Sequence, residues 1–249
     1  MPRFFASNPI IAHEEIVISG QEARHMQRVL RLRVGDEVDI FDGTGWEYRS
    51  EIVRHDRLAV ALRIREARKP GRESPLTVVM GQSLIRGQKM DFVVQKATEM
   101  GVSEVIPFVS SRSVASLDEG TMERRVERWK RIAVESSKQC GRVIPLRVDG
   151  VLGFGEALER ASPGAERIIL WERGTRTLKS LCQERNLIDG ASRSVYFLVG
   201  PEGGFSEDEV RLAEKARFIP IGLGSRILRV ETAGLSFASI LQYEWGDLG

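Results

Sequence analysis

The chain has 249 residues, 42% of them hydrophobic and 29% charged, with a formal net charge of +2. This is the make-up of a soluble globular protein with a substantial core and one or two domains, and it excludes a low-complexity chain. The small net charge gives no argument by itself for a nucleic-acid partner. The cations are mostly arginine, which suits two-pronged phosphate contacts but fits genomic bias or heat adaptation equally well.

Two cysteines, Cys140 and Cys182, lie far apart and in no metal-ligand spacing. They predict structural thiols in a reduced, cytoplasmic protein, with no metal site. No N-terminal apolar stretch reads as a signal peptide, and no run approaches the roughly 20 apolar residues that cross a bilayer, so no membrane partner is expected.

Residues 1–70 read as a small β-rich domain. Ile16-Val17-Ile18 is a short strand. Gln21 to Leu32 reads as a helix with Ala23, Met26, Val29 and Leu30 facing inward. Its Arg24, Arg28 and Arg31 fall at i, i+4 and i+7, which puts three guanidinium groups on one side. That stripe suits RNA phosphates, and it suits a solvated helix face equally well. His25, in the same helix, is expected to make a polar contact in the fold rather than to act in catalysis. Gly35-Asp36 turns the chain into Glu37 to Phe41. Asp42-Gly43 signals a hairpin, and Trp46 to Val53 returns. Leu58 to Ile64 is a further strand, and Arg65 to Pro75 reads as a linker to a domain spanning residues 71–249.

From Leu76 the pattern becomes alternating strands and helices, which predicts a parallel sheet covered by helices on both faces. Leu76 to Met80 is a strand. Gln88 to Met100 is a helix ended by Gly101. Val105 to Val109 is a strand. Glu119 to Gln139 is a long helix with Met122, Val126, Trp129 and Ala133 buried. Its Arg124, Arg128 and Arg131 alternate with acids and read as a solvated face. Arg167 to Trp171 is another strand.

The stretch from Ser194 to Trp245 carries the chemistry. Ser194 to Val199 is a buried strand, followed by Gly200-Pro201-Glu202-Gly203-Gly204, where missing Cβ atoms allow a tight turn and close approach of a ligand. Ser206 caps the next helix, and Glu209 completes a capping box. A strand from Arg217 to Ile221 leads into Gly222-Leu223-Gly224, and Glu231-Thr232-Ala233 opens the last helix. Two glycine loops after adjacent strands describe a nucleotide-like ligand site at the strands' carboxyl ends. The chain has no Gly-x-Gly-x-x-Gly motif. Glu202 inside the first loop also argues against phosphate, so a ligand without phosphates is expected.

Leu198 to Ser206, together with Leu223 to Ala233, resembles the RsmE family of SPOUT RNA methyltransferases. The resemblance extends to Gln95 to Val102, to Arg128-Trp129-Lys130, and more weakly to His25, Val29-Leu30-Arg31 and Gly35-Asp36. It implies an α/β protein, in which a small PUA-like β-barrel RNA-binding domain precedes a SPOUT domain with a parallel sheet and a deep trefoil knot. It also implies S-adenosylmethionine as cofactor and a homodimer. The implied activity is methylation of N3 of one uridine in 16S ribosomal RNA, free or in the 30S subunit. With RNA as the implied substrate, the Arg24, Arg28 and Arg31 stripe is read as RNA-binding.

S-adenosylmethionine has an adenine, a ribose, a sulfonium and an amino-acid tail. Backbone groups of Gly200, Gly203, Gly204, Ile221, Leu223 and Gly224 can bond the adenine and ribose edges. Leu228 and Ala233 supply apolar walls, and Glu202 suits the ribose hydroxyls or the sulfonium. Leu198, Val199 and Thr232 complete the cofactor set. Uridine N3 must lose a proton, and charge then spreads onto O2 and O4. Arg229 is the candidate to stabilise that charge, and Glu231 to orient Arg229 or relay the proton. Lys89, Lys96 and Glu99 are weaker candidates for RNA contact or site support. His13, His25 and His55 all lie in the first domain, so no histidine base comes from the second. The rival reading is a non-catalytic RNA-binding protein whose glycine loops are only structural, and a third is an RNA-modifying enzyme that uses a different cofactor.

Overall fold

The computed structural model describes residues 1–7, 10–12, 14–113, 119–185 and 194–249. His13 lies outside them, and nothing of the Cys182 side chain is described. Two compact units result: Met1–Glu73 with Ser137–Pro145, and Ser74–Ser136 with Leu146–Gly249.

In the first unit, strands β1 (Arg3–Phe5), β2 (Ile10–Ala12), β3 (Glu15–Ser19), β4 (Glu37–Phe41), β5 (Glu47–His55) and β6 (Ala59–Arg68) form one sheet in the order β1-β4-β5-β6-β3-β2. All its pairings are antiparallel except β1 with β4. The period of two is clear in β3, where Ile16 and Ile18 are buried and Val17 is exposed. The β4–β5 hairpin signalled by Asp42-Gly43 is present, with Gly43 and Gly45 both at positive φ and Asp42 Oδ1 accepting from the Thr44 N–H at 2.8 Å. Strand β6 continues to Arg68, so the segment read as linker begins inside a strand. Arg3 in β1 donates to the fully buried Glu47 and to the Ser137 and Arg142 carbonyls, tying residues 137–145 to this sheet.

The helix expected from Gln21 to Leu32 is only partly present. Helix α1 spans Gly20–Arg24, and a π-helical turn follows over His25–Val29. Ala23 and Met26 are buried as expected, but Val29 and Leu30 are exposed. The wider i→i+5 winding, with the Leu30 N–H bonded to the His25 carbonyl at 3.0 Å, turns them off the inner face. Arg31 lies beyond the helix at φ 52°, so Arg24, Arg28 and Arg31 are all exposed but do not share one helical face. The described side-chain contact of His25 is aromatic, edge-on to Phe4 at 5.8 Å between ring centroids.

The second unit is a parallel sheet. Its strands are β7 (Thr77–Ser83), β8 (Glu104–Val109), β9 (Arg147–Val148), β10 (Leu152–Gly153), β11 (Glu166–Leu170), β12 (Ser194–Val199) and β13 (Ile219–Ile221). The order is β10-β8-β7-β12-β11-β13, with β9 also on β8. Its helices are α2 (Lys89–Glu99), α3 (Glu119–Cys140), α4 (Phe154–Glu159), α5 (Leu178–Arg185), α6 (Glu207–Lys215) and α7 (Val230–Trp245). They cover both faces as expected. Val195, Phe197 and Val199 of β12 join the core with α2, α3 and α7, while Tyr196 and Leu198 join the core with α4 and α6. Strands β12 and β13 are not adjacent, because β11 pairs with both. The expected adjacency fails because β13 is added at the sheet edge, outside β11.

Gly101 ends α2 at φ 74°. Of the expected α3 stripe, Val126, Trp129 and Ala133 are buried, while Met122 is only half-buried against the same core; Trp129 Nε1 donates to Asp91 at 3.1 Å. Gly234 lets α7 approach the sheet closely. A Cβ there would sit 3.2 Å from both Met80 Cε and Val199 Cγ2. Among the described residues, no helix is long and apolar enough to cross a membrane.

Candidate cofactor site at the ends of the parallel strands

The carboxyl ends of β11, β12 and β13 open onto a cavity of about 490 Å³. Each strand contributes the loop that follows it. After β12, Gly204 adopts φ 66° and its N–H closes the turn onto the Pro201 carbonyl at 2.9 Å. After β11, Trp171 to Gly174 turns back, and the Gly174 N–H donates to the Trp171 carbonyl at 2.9 Å. This loop meets the one after β13 backbone to backbone. A Cβ on Gly222 would lie 2.4 Å from the Gly174 carbonyl oxygen, so no side chain fits there.

The loop after β12 is held from behind. Glu209 at N3 of α6 accepts from the Ser206 N–H (2.9 Å) and Ser111 N–H (2.8 Å) and from both hydroxyls (3.0 and 2.9 Å). Burial by itself would raise its pKa. The donors of Ser206 and Ser111 outweigh burial and hold the carboxyl below its usual range. Arg112, beside Ser111, donates to the Gly203 carbonyl at 2.9 Å. The capping box therefore does more than start a helix: it links the loop after β8 to the loop after β12.

At the rim, Lys89 Nζ lies 3.6 Å from Glu202 Oε1 and 3.7 Å from Glu231 Oε2. One ammonium on α2 thus faces the loop after β12 and the first turn of α7 together. Burial would raise the Glu202 pKa, but its own and Arg86's backbone N–H groups, with Lys89, lower it below the usual carboxylate value. Glu231 Oε2 is buried without a hydrogen-bond partner among the described residues. Arg229 stands at the N-cap position of α7, and its side chain is exposed along the cavity.

Val199, Gly200, Glu202, Gly203, Gly204, Ile221, Leu223, Gly224, Leu228, Arg229, Glu231 and Ala233 all line this cavity. Leu198 does not, because its side chain is packed in the core on the other face of the sheet. Thr232 is exposed on α7, outside the lining.

Two family models match the chain. An RNA methyltransferase domain covers residues 72–242, and an RNA methyltransferase PUA domain covers residues 18–65. The chain is 32% identical over 230 residues to the ribosomal RNA small subunit methyltransferase E of Bacillus subtilis, covering 91% of this chain and 89% of the relative. The chain belongs to the ribosomal RNA small subunit methyltransferase E family. A solved family member from Neisseria gonorrhoeae, bound to S-adenosylmethionine, superposes with a TM-score of 0.88 at 30% identity, over the whole of both chains. A Legionella pneumophila protein solved in complex with the same cofactor gives 0.88 at 28% identity, over 99% of this chain and 98% of that one. The fold is thus a PUA-like unit followed by a SPOUT-type α/β unit.

Family membership puts the unassigned lining in focus. Leu170, Trp171 and Glu172 form a third wall that the strand reading of Arg167 to Trp171 did not mark as a site. Gly174, four residues past β11, was its signal. Phe205, Arg226, Ile227 and Val230 sit inside the recognised motifs and also line the cavity. Lys96 and Glu99 pair with each other at 2.8 Å on α2, away from the lining.

Proposed function

We propose that this protein methylates N3 of a uridine in 16S ribosomal RNA, using S-adenosylmethionine held in the cavity at the ends of β11, β12 and β13. The observation that carries the reading is the cavity itself. Glycine backbone from two loops, apolar walls from Leu223, Leu228, Ile221 and Ala233, and the carboxylates Glu202 and Glu231 fit an uncharged base, a ribose and a cationic centre. When bound, the cofactor supplies an electrophilic methyl group. Gly200, Gly203 and Gly204 hold it by backbone groups, and Arg112 and Glu209 keep their loop in place.

The chain's own residues prepare the nucleophile. Arg229 donates to the uracil oxygens, which gain charge as N3 loses its proton. Glu231, whose Oε2 faces Lys89 at 3.7 Å and has no hydrogen-bond partner among the described residues, accepts that proton or orients Arg229. Positioning of the nucleophile against the methyl group does much of the work. In the first unit, Arg24, Arg28 and Arg31 contact RNA phosphates. We assign residues 1–70 to RNA binding and 71–249 to methyl transfer.

The protein works as a cytoplasmic homodimer with the knotted SPOUT topology its family resemblance implies. Exposed Phe92 on α2 and Ile240 and Tyr243 on α7, two helices packed together, offer an apolar face for a second copy. A non-catalytic RNA-binding protein has no need of a cavity lined in this way. The deciding experiment is methylation of 16S RNA and of 30S subunits lacking the modification, with the product mapped by mass. Methyl groups on neither substrate, or only at an atom other than uridine N3, would sink the proposal.

A further inference from the structure

Residues 28–34 read Arg-Val-Leu-Arg-Leu-Arg-Val, and three of their aliphatic side chains stand in water. Val29 is 68% exposed, Leu30 43% and Val34 60%. A single exposed aliphatic needs no explanation, but three within six residues do. The segment is anchored: Leu32 packs on the core of the first unit, and the Arg33 N–H donates to Asp36 Oδ2 at 2.7 Å. Gln27 bonds the Asp56 and Ala59 carbonyls at 2.9 and 3.0 Å.

The backbone here is unusual twice over. A π-helical turn ends at Val29, and Arg31 holds φ 52° without being glycine. Each is less stable than plain helix, and such departures collect at functional positions. Together they place Val29 and Leu30 outward while Leu32 turns inward. Around them, Arg24, Arg28, Arg31 and Arg33 are all exposed.

We propose that residues 28–34 form an RNA-docking lobe that selects unpaired nucleotides: the arginines hold phosphates while Val29, Leu30 and Val34 pack against the faces of unstacked bases. This rests on the reading that the substrate is RNA. Four exposed cations complement a polyanion. The aliphatic groups decide what kind of RNA it is. A continuous A-form helix presents phosphates and 2′-hydroxyls, and stacking covers its base faces, so the lobe would strip polar groups of water without repayment in contacts. An unpaired base offers an apolar face, and packing against it is sequence-tolerant.

The test uses the full chain and two labelled RNAs with equal numbers of phosphates, a hairpin with an unpaired loop and a fully paired duplex. The wild type should bind the hairpin about 10-fold more tightly. Val29→Ser, Leu30→Ser and Val34→Ser together should abolish that preference. Duplex affinity, the salt dependence of binding and S-adenosylmethionine affinity should stay unchanged. Arg28→Ala, Arg31→Ala and Arg33→Ala together should weaken both RNAs and flatten the salt dependence. If the triple serine variant melts early, Val29→Ser alone serves in its place. Equal wild-type affinities, a serine variant that keeps its preference, or a serine variant with altered sedimentation mass overturns the lobe; the last would make this a protein–protein surface. Wild-type methylation of ribosomal RNA is measured on the same preparation. If it is absent, the proposed function fails; if it is present while the preference is not, only the lobe fails.

Discussion

Arg229 is the residue on which the chemistry can be tested most directly. It caps α7 with its backbone, since the Ala233 N–H bonds its carbonyl at 2.8 Å, which leaves the guanidinium free of a structural duty at the cap. Arg229→Ala should therefore leave the fold intact. It should lower single-turnover methylation roughly 10²-fold, the scale of one lost oxyanion-type donor. Arg229→Lys should recover only part, because a point charge does not reproduce the planar fork. Calorimetry should find cofactor affinity nearly unchanged; a lost affinity with a normal rate would make Arg229 a cofactor ligand instead. Gly203 makes a complementary test. A Cβ there would meet Arg112 Cβ at 3.4 Å, an ordinary contact, so the backbone tolerates a side chain. Gly203→Val should then remain soluble while cofactor binding falls, because its branched atoms press on the Arg112 side chain that bonds the Gly203 carbonyl and shift the loop. Unchanged affinity in calorimetry removes this loop from the site. Gly222 does not permit the same test, since a Cβ 2.4 Å from the Gly174 carbonyl disrupts the fold itself.

The capping box of α6 shows how one element serves two purposes. Glu209 is the N3 residue of a helix and the anchor for the Ser111 loop, and its folded pKa is held below the ordinary value near 4.5. A lowered carboxylate pKa contributes stability that is complete above the unfolded value and is lost as pH falls through the folded one. Glu209→Gln should thus cost about 2 kcal/mol at neutral pH and less in acid, measured as urea midpoints from pH 7 to pH 3. A variant whose deficit is the same at both ends would show that the charge is irrelevant. Strand β5 carries a parallel case. Glu47 is buried between Arg3 and Arg68, and burial opposes its charge while their hydrogen bonds lower its pKa. Glu47→Ala removes the buried carboxylate that Arg3 and Arg68 share, leaving Arg3 its carbonyl partners and Arg68 its approach to Asp39, and should destabilise the protein by about 3 kcal/mol in urea. A loss under about 1 kcal/mol, the surface-pair range, would mean the site is wetter than its geometry indicates.

For the whole molecule, the open question with a sharp answer is assembly. Phe92, Ile240 and Tyr243 are large, apolar and exposed on α2 and α7 of one chain. A second copy covering them would account for the exposure. Tyr243→Glu together with Ile240→Glu should convert a dimer to a monomer in sedimentation, and methylation should fall with it if the paired form is the active one. A wild type that sediments as a monomer at micromolar concentration would end the homodimer reading.

The sequence by itself determined the parallel sheet of the second unit and most of the residues that line its cavity, though not that Ser137–Pro145 belong to the first unit. Alternating elements imply a parallel sheet, and the strand Ser194–Val199, the Ser206–Glu209 capping box and the glycine loops are local in cause, so they could be read locally. What only the tertiary structure decided is where loops meet. That β11 sits between β12 and β13 and brings Trp171 and Glu172 to the cavity depends on which strand adds to which edge, and nothing within Arg167 to Trp171 encodes it. Leu198 and Val199 are neighbours in one strand, yet the pleat sends only Val199 toward the cavity. In the first unit, helical spacing put Val29 and Leu30 inside, and an i→i+5 turn put them out. Periodicity assumes one winding for the whole segment. The winding here changes at His25, where packing around Met26 and the bonds from Gln27 to Asp56 and Ala59 override the local preference.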